Sequence, residues 1–375
     1  MATILMMITL GKISNMKRAL TIILALAAVA CSKTDIAFES VQGTEMTFTP
    51  ISGNLTKAAV TNTIFPVDNH ISLYAYYSPD VVSGQVDDYS AFTKKYFENT
   101  EFYCKDQANK TWGGLTPYYW PTTGSMVFAG YSLNKPVGAA NTASEQNGTP
   151  AYELEKDLLT ITGYKQSNLT SKTYDLLYFG RTDESYDRHD LTVPVIFKHA
   201  LSWIEIYVKG GVGALVDGHT WAITNVEFKE VATVGNFKYT GTETDDSKKA
   251  VWSNQATRAS VVVFNSDMTS IPAKPAQRLT ASDVKIETVN AGTVVIPQAA
   301  KYLYVTIEYL SPANDLITEV VKVDIPSRTA NWEAGKKYTY YLTFSPEEIL
   351  IAPSVEAWPD PINTGLDSDD YYQNN

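Results

Sequence analysis

The stretch Leu201–Gly211, "LSWIEIYVKGG", decides the fold class. In an extended chain, Ile204, Ile206 and Val208 fall on one face and Trp203, Glu205 and Tyr207 on the other. Strand side chains alternate between faces, so an apolar residue at every second position predicts a strand with one face in a core. A helix would need its apolar residues three and four apart. The following "GGVGALVDG" has two glycines in a spacing that faintly resembles a dinucleotide fingerprint, but it lacks the third glycine and a helix behind it, so it reads as a turn.

The same alternation recurs in both directions. Upstream, "HISLYAYYS" (70–78) offers Ile71, Leu73 and Ala75, and "GSMVFAGYS" (124–132) sets Met126 and Phe128 against Val127, Ala129 and Tyr131. Nearer the N-terminus, Ile36 alternates with Phe38 and Met46 with Phe48. Downstream, Leu303, Val305, Ile307 and Tyr309 share a side, as do Val321, Val323 and Ile325, and then Tyr338, Tyr340, Leu342 and Phe344. No segment after Cys31 keeps a helical period between caps. Short strands broken by Gly, Pro, Asn and Asp clusters predict an all-β protein built from sandwiches. A length of 375 residues suits two domains. The polar run "TGTETDDSKKA" (240–250) is the largest break, which puts the expected boundary near 245. No internal repeat of fixed period stands out, and the tail after Trp358 is acidic and polar.

The formal net charge is −11. Loss of residues 1–30 would remove Lys12, Lys17 and Arg18 and no acid, leaving −14. So acidic a surface repels phosphate backbones, which argues against nucleic acid as a partner. Two cysteines, Cys31 and Cys104, exclude a disulfide framework and a cysteine-rich zinc site. Cys104 reads as a half-buried strand residue.

Catalytic patterns are lacking. The four histidines form neither HExxH nor an i, i+4 pair. Asp187, His189 and Asp190 share the charged stretch "DESYDRHD", which reads as a solvated loop, and His199 reads as a structural histidine. Acids cluster in turns (Asp245 and Asp246; Asp367 to Asp370) where water solvates them, unlike a glycosidase pair held in a cleft. The expectation is a non-enzyme without metal or cofactor. The aromatic runs "TPYYWPTTG" and "LYAYYS" suit cross-strand packing, with glycan stacking as the alternative use.

The N-terminus reads as a targeting segment. "MKRALTIILALAAVAC" (16–31) has a basic start, an apolar core from Leu20 to Leu26 and small residues before a cysteine. The apolar run is shorter than the about 20 residues a spanning helix needs. Met16 is the expected start. Ala28-Val29-Ala30-Cys31 resembles a bacterial lipobox, with Ala28 where leucine is usual, so Cys31 is the expected lipidation site. Acyl chains on that thiol would tether a soluble domain to a membrane.

Four features together resemble the Bacteroidetes-type fimbrillin family, the subunits of type V pili. They are the signal ending at Cys31; "NLTKAAVTNTIFPVDNHISLYAYYS" (54–78); "YYWPTTGSMVFAGYS" (118–132) followed by "FKHALSWIEIYV" (197–208); and "VVIPQ" (294–298) with "NWEAGKKYTYYLTFS" (331–345) and "ILIAPSVEAW" (349–358). The resemblance implies two transthyretin-like β-sandwich domains in tandem: a signal over 1–30, a pro-segment over 31–57, and domains over 58–245 and 246–375. It implies delivery to the outer-membrane surface as a lipoprotein, and then a trypsin-like protease cutting between Lys57 and Ala58, where the family usually has arginine. It further implies donor-strand exchange with other fimbrillin subunits, the donor coming from the C-terminal segment with Ile349, Ile351, Val355 and Trp358 entering pockets. A bulge or break is expected at Pro353, which has no N–H for a ladder. The resemblance also implies an adhesion role toward a host or bacterial surface receptor. The alternative function is a non-polymerising surface lipoprotein that binds glycans, with Trp120 as its test residue.

Overall fold

The computed structural model describes residues 43–52, 65, 67–81, 89–133, 148–166, 175–184, 192–211, 213–215, 221–266, 276–286, 293–311, 313–346 and 348–358. The chain divides into units Met1–Gly43 and Thr44–Asn375, and every described strand lies in the second. Among the described residues the strands are β1 (Phe48–Ser52), β2 (His70–Ser78), β3 (Lys94–Asp106), β4 (Thr111–Gly114), β5 (Ser125–Ser132), β6 (Thr149–Glu153), β7 (Leu158–Lys165), β8 (Leu177–Glu184), β9 (Val193–His199) and β10 (Ser202–Gly210). They continue with β11 (Ala222–Thr240), β12 (Ala250–Asn265), β13 (Gln277–Arg278), β14 (Val284–Lys285), β15 (Thr293–Val295), β16 (Tyr302–Leu310), β17 (Leu316–Asp324), β18 (Lys336–Phe344) and β19 (Ile349–Ala357). The protein is all-β, as the alternation predicts, and no described helix is long and apolar enough to cross a membrane.

The strands form three sheets. The first closes on itself in the order β1-β4-β3-β2-β5-β8-β9. The second runs β14-β10-β18-β19, with β15 also on β10. The third runs β17-β16-β11-β7-β6, with β12 and β13 on β11. The deciding stretch is β10, and its Ile204, Ile206 and Val208 are buried, as the alternation requires. They join Leu303, Val305 and Ile307 of β16 and Tyr338, Tyr340, Leu342 and Phe344 of β18 in one core. On β5 both faces are covered. Phe128 meets Phe48 and Trp120 edge-on, while Val127, Ala129 and Tyr131 join a second core with Leu159, Ile161 and Phe237. A strand buried on both faces needs no polar alternation, hence the nearly continuous apolar run "SMVFAGY".

Two expectations meet a different structure. Residues 240–250 are the tip of the long β11–β12 hairpin, whose arms pair from Asn225↔Asn265 to Tyr239↔Ala250. A single helical turn, α1 (Asp246–Lys249), caps it, and Asp245 Oδ1 accepts from Ser247 N at 3.1 Å. Lys248 pairs with Asp245 and Lys249 with Asp246, so the run is polar because it is a solvated turn. The arms of this hairpin contribute to both buried clusters, Phe228 and Val261 to one and Phe237 to the other. The second concerns Pro353. β18 and β19 pair without a register shift from Phe344↔Ile349 to Lys336↔Ala357, so no bulge forms at Pro353. Ser345 N donates to Glu348 O and Trp358 N to Gly335 O, which fixes the even-numbered residues of β19 as those bonded to β18. The nitrogen of Pro353 therefore faces the open edge, where a missing donor disturbs no ladder.

Candidate functional site

The first strand is the piece that closes the barrel. β1 runs parallel to β9 over Phe48↔Val193 to Ser52↔Phe197 and meets β4 at Phe48↔Trp112. Val193 N donates to Thr47 O at 2.9 Å, and on the opposite flank Met46 N donates to Tyr118 O at 2.7 Å. Trp120 N donates to Thr44 O at 3.2 Å. Odd-numbered amides thus face β9, and those of Met46, Phe48 and Pro50 face the β4 side. Pro50 lies beyond the one β1–β4 pair, so its lack of N–H costs nothing there.

Side chains fill the slot from the same even positions. Met46 and Phe48 are fully buried and Pro50 is buried. The Phe48 ring meets Phe102 at 5.0 Å and Phe128 at 5.1 Å, both edge-on, a favoured arrangement for aromatic pairs. Phe65 supports the neighbouring wall against Trp112 and Phe197. At the mouth, Lys105 of β3 pairs with Glu45. Gly113 leaves the room for that pair, since a Cβ there would lie 2.7 Å from Lys105 Cδ and 3.1 Å from a Glu45 carboxylate oxygen. Without β1, the edges of β4 and β9 would face each other unpaired across an apolar groove.

The C-terminal strand pairs along its whole length with β18, and its most buried neighbour in the chain lies just past its end. β19 is an edge strand; Leu350 is 55% exposed and Val355 44%, while Ile349 and Ile351 pack partly against the core. Trp358 is only 4% exposed. Its indole stacks on His199 with ring centroids 3.7 Å apart and 8° between planes. His199 Nδ1 lies 2.5 Å from Asp175 Oδ2, and burial pushes the Asp175 carboxyl above its ordinary value against the opposing pull of His199. Lys337 reaches Glu356 at 3.0 Å and the buried Glu205 at 3.1 Å. Burial works against the Lys337 charge, but those two carboxylates outweigh it and hold its proton above the usual lysine value.

The profile of the fimbrillin-like family matches residues 56–358. The chain belongs to the fimbrillin-like family. As a fimbrillin-like protein it is a structural, fimbrial subunit of the cell surface and not an enzyme. No curated protein matches it. Solved structures similar to it include a putative cell adhesion protein from Bacteroides uniformis (15% identity, 84% of this chain, 99% of that one, TM-score 0.47). A fimbrial protein from Bacteroides vulgatus gives 14% identity, 84% and 99% coverage and a TM-score of 0.47. A fimbrial assembly protein from Parabacteroides distasonis gives 14% identity, 84% and 98% coverage and a TM-score of 0.38.

In this fimbrillin-like subunit Cys31, Lys57 and Ala58 lie outside the described residues, as do Ile36, Phe38, Asp187, His189 and Asp190. Ile349, Ile351 and Val355 share one side of β19, and Trp358 sits apart from them in the second core. Trp120 is 3% exposed, so the indole proposed for glycan stacking faces the barrel interior instead. Tyr74, Tyr76 and Tyr77 of the other aromatic run are buried too. Among the described residues no three His, Cys, Asp or Glu converge on a metal position. Sequence reasoning missed Lys105, Glu45 and the Asp175–His199–Trp358 stack. Their partners are far apart in the chain, and nothing local marks them.

Proposed function

We propose that this fimbrial subunit is exported as an outer-membrane lipoprotein anchored through Cys31 and is assembled by strand exchange after a trypsin-like cut between Lys57 and Ala58. The observation that carries the reading is β1. It precedes Lys57 in the chain, yet it closes the barrel; Phe48 within it and Met46 just before it are completely buried. Burying such side chains is worth about 1.5–3 kcal/mol each. A cut at Lys57 therefore leaves β1 bound until another strand displaces it. The incoming strand recovers the apolar contacts and the ladder to β9 together, which is β-augmentation. A donor from the C-terminal segment (Ile349, Ile351, Val355 and Trp358) makes growth head-to-tail and open-ended. The lipid serves transport, and the assembled fimbrium presents the subunit for adhesion to a receptor on a host or bacterial surface. The division into two β-sandwich domains belongs to this reading, supported by the presence of two separate buried clusters.

The test is limited digestion of the full chain with a trypsin-like protease, followed by intact-mass measurement and electrophoresis without boiling. The reading expects a new N-terminus at Ala58 and a ladder of detergent-resistant oligomers. Protein that begins at Ala58, has lost β1 and stays monomeric at every concentration would refute it.

A further inference from the structure

Among the described residues the barrel has no free edge, but the other two sheets end on the longer strands β6, β12, β17 and β19. An open edge offers unpaired N–H and C=O groups to any strand that meets it, and proteins blunt it with prolines, bulges or short strands. β6 is five residues long and holds Pro150, and β19 holds Pro353. β12 is broken by register shifts against β11, and its Asn254 and Thr257 have φ of 50° and 52°, in the left-handed region. β17 has none of these devices. Its nine residues contain neither proline nor glycine and pair with β16 without a shift, from Tyr302↔Asp324 to Leu310↔Leu316. Its inner charges are turned back onto β16: Lys322 lies over the Tyr302 ring, 3.5 Å from the centroid, and Tyr309 OH donates to Glu319 Oε2 at 3.5 Å. What the edge shows instead is apolar, with Leu316 66% exposed and Val320 58%. We infer that β17 is a docking edge for β17 of a second copy of this chain, the two strands lying antiparallel across a two-fold axis at Thr318.

The backbone of β17 is presented for this. Ser311 N donates to Asp315 O at 2.8 Å and Ile325 N to Lys301 O at 2.9 Å, so the odd-numbered residues are those bonded to β16. The amides and carbonyls of Leu316, Thr318, Val320 and Lys322 therefore point at the open edge. Their side chains lie on the face away from the core, since Val321 and Val323 pack into it. A two-fold axis through such a pair passes between matching residues, so the registers can be compared one by one. With Thr318 on the axis, Leu316 meets Val320 of the partner subunit, Val320 meets the partner's Leu316, and the two threonines meet between them, all favourable cross-strand pairs. Glu319 on the axis would oppose two glutamates, and Lys322 two lysines. Val320 there would set Leu316 against Asp324 of the partner subunit, and Val321 there would set Val320 against the partner's Lys322. The edge is thus self-complementary, and a fimbrial subunit works where subunits of its kind are concentrated, which raises the effective concentration of a matching edge. The contact is small beside the interface of a stable complex, so single subunits pair weakly and arrays of them pair firmly.

The experiment uses the full, undigested chain carrying Cys31→Ser and Cys104→Ser, so that β1 stays in its slot and the result does not depend on strand exchange. Thr318→Cys is added in one variant and Lys322→Cys in another. Directly opposed Cα atoms at a hydrogen-bonded antiparallel position lie about 5.5 Å apart, within reach of a disulfide. Under oxidation Thr318→Cys is expected to give a disulfide-linked dimer, faster at higher protein concentration, while Lys322→Cys stays monomeric. Sedimentation equilibrium of the cysteine-free chain is expected to show a weak dimer at about 1 mM. Val320→Lys, which strikes the contact twice by symmetry, is expected to weaken that dimer about tenfold. Thr318→Pro should abolish it with little change in melting temperature, because that nitrogen faces away from β16. A chain that is monomeric at about 1 mM, or a dimer that neither substitution weakens, would overturn the inference. So would cross-linking through Lys322→Cys in place of Thr318→Cys, which needs a different alignment. Slowed hydrogen exchange at Leu316, Thr318 and Val320 without the cross-link would show another strand on the edge, and would overturn a second copy's β17 as the partner.

Discussion

At the residue scale, Phe48 is the most informative side chain. It is fully buried between Phe102 and Phe128, so Phe48→Ala should destabilise the full-length protein by about 3–5 kcal/mol in chemical denaturation. The same change should leave assembled, processed fimbriae untouched if, as proposed, that residue departs with the leader. Trp358→Ala should cost a similar about 3–5 kcal/mol and speed hydrogen exchange along Ile349–Ala357, since the His199 stack pins that strand's end. A smaller effect on exchange there than at the N-terminal arm of β18 would mean that the strand is held by its ladder instead. Buried hydroxyls set the alkaline limit. Burial pushes Tyr338 and Tyr340 up to about 12 from an ordinary 10.0, and Tyr340 OH accepts from Trp332 Nε1 and donates to Thr329 O. A raised folded value means that their contribution is intact below pH 10 and lost as pH rises through about 12. Melting temperature should fall across that window, and Tyr340→Phe should make the fall shallower.

At the element scale, β1 and β19 are the strands on which the proposed assembly turns. In β1 the amide of Thr49 points at β9 and the nitrogen of Pro50 points away, so proline is tolerated at one position and not at the next. Thr49→Pro should therefore lower stability by about 3 kcal/mol or more, as read from urea midpoints, whereas Pro50→Ala should cost far less. Elements of this kind also show what the sequence could and could not reveal. The faces of β10, β16 and β18 were legible because each strand alternates apolar and polar residues against a single core. β5 was legible as a strand, but its second buried face was not marked, since an apolar run looks alike whether one side is covered or two. The parallel pairing of Phe48 with Val193 joins residues that are remote in sequence, and no local pattern encodes it. The tip of the β11–β12 hairpin and an interdomain linker share one composition, because water solvates both. Pro353 suggests a break in sequence yet makes none, because an edge strand offers one flank where proline is harmless, and edge position is a property of the sheet.

At the scale of the whole molecule, the barrel is a closed sheet with one strand drawn from a segment that precedes Lys57. In the proposed route, closure hides the β4 and β9 edges until assembly, since an open edge would invite unspecific pairing. On the proposed strand exchange, removal of that strand would leave a monomer that favours a parallel partner for β9 with apolar residues at alternate positions. The measurement that tests this most directly is hydrogen exchange at the amides of Val193–Phe197 and Thr111–Gly114 in three states: full-length protein, protein freed of residues 1–57, and assembled fimbriae. The account predicts protection in the first, loss of protection in the second and its return in the third. Unchanged protection after removal of residues 1–57 would show that β1 does not hold those edges, and would contradict the account.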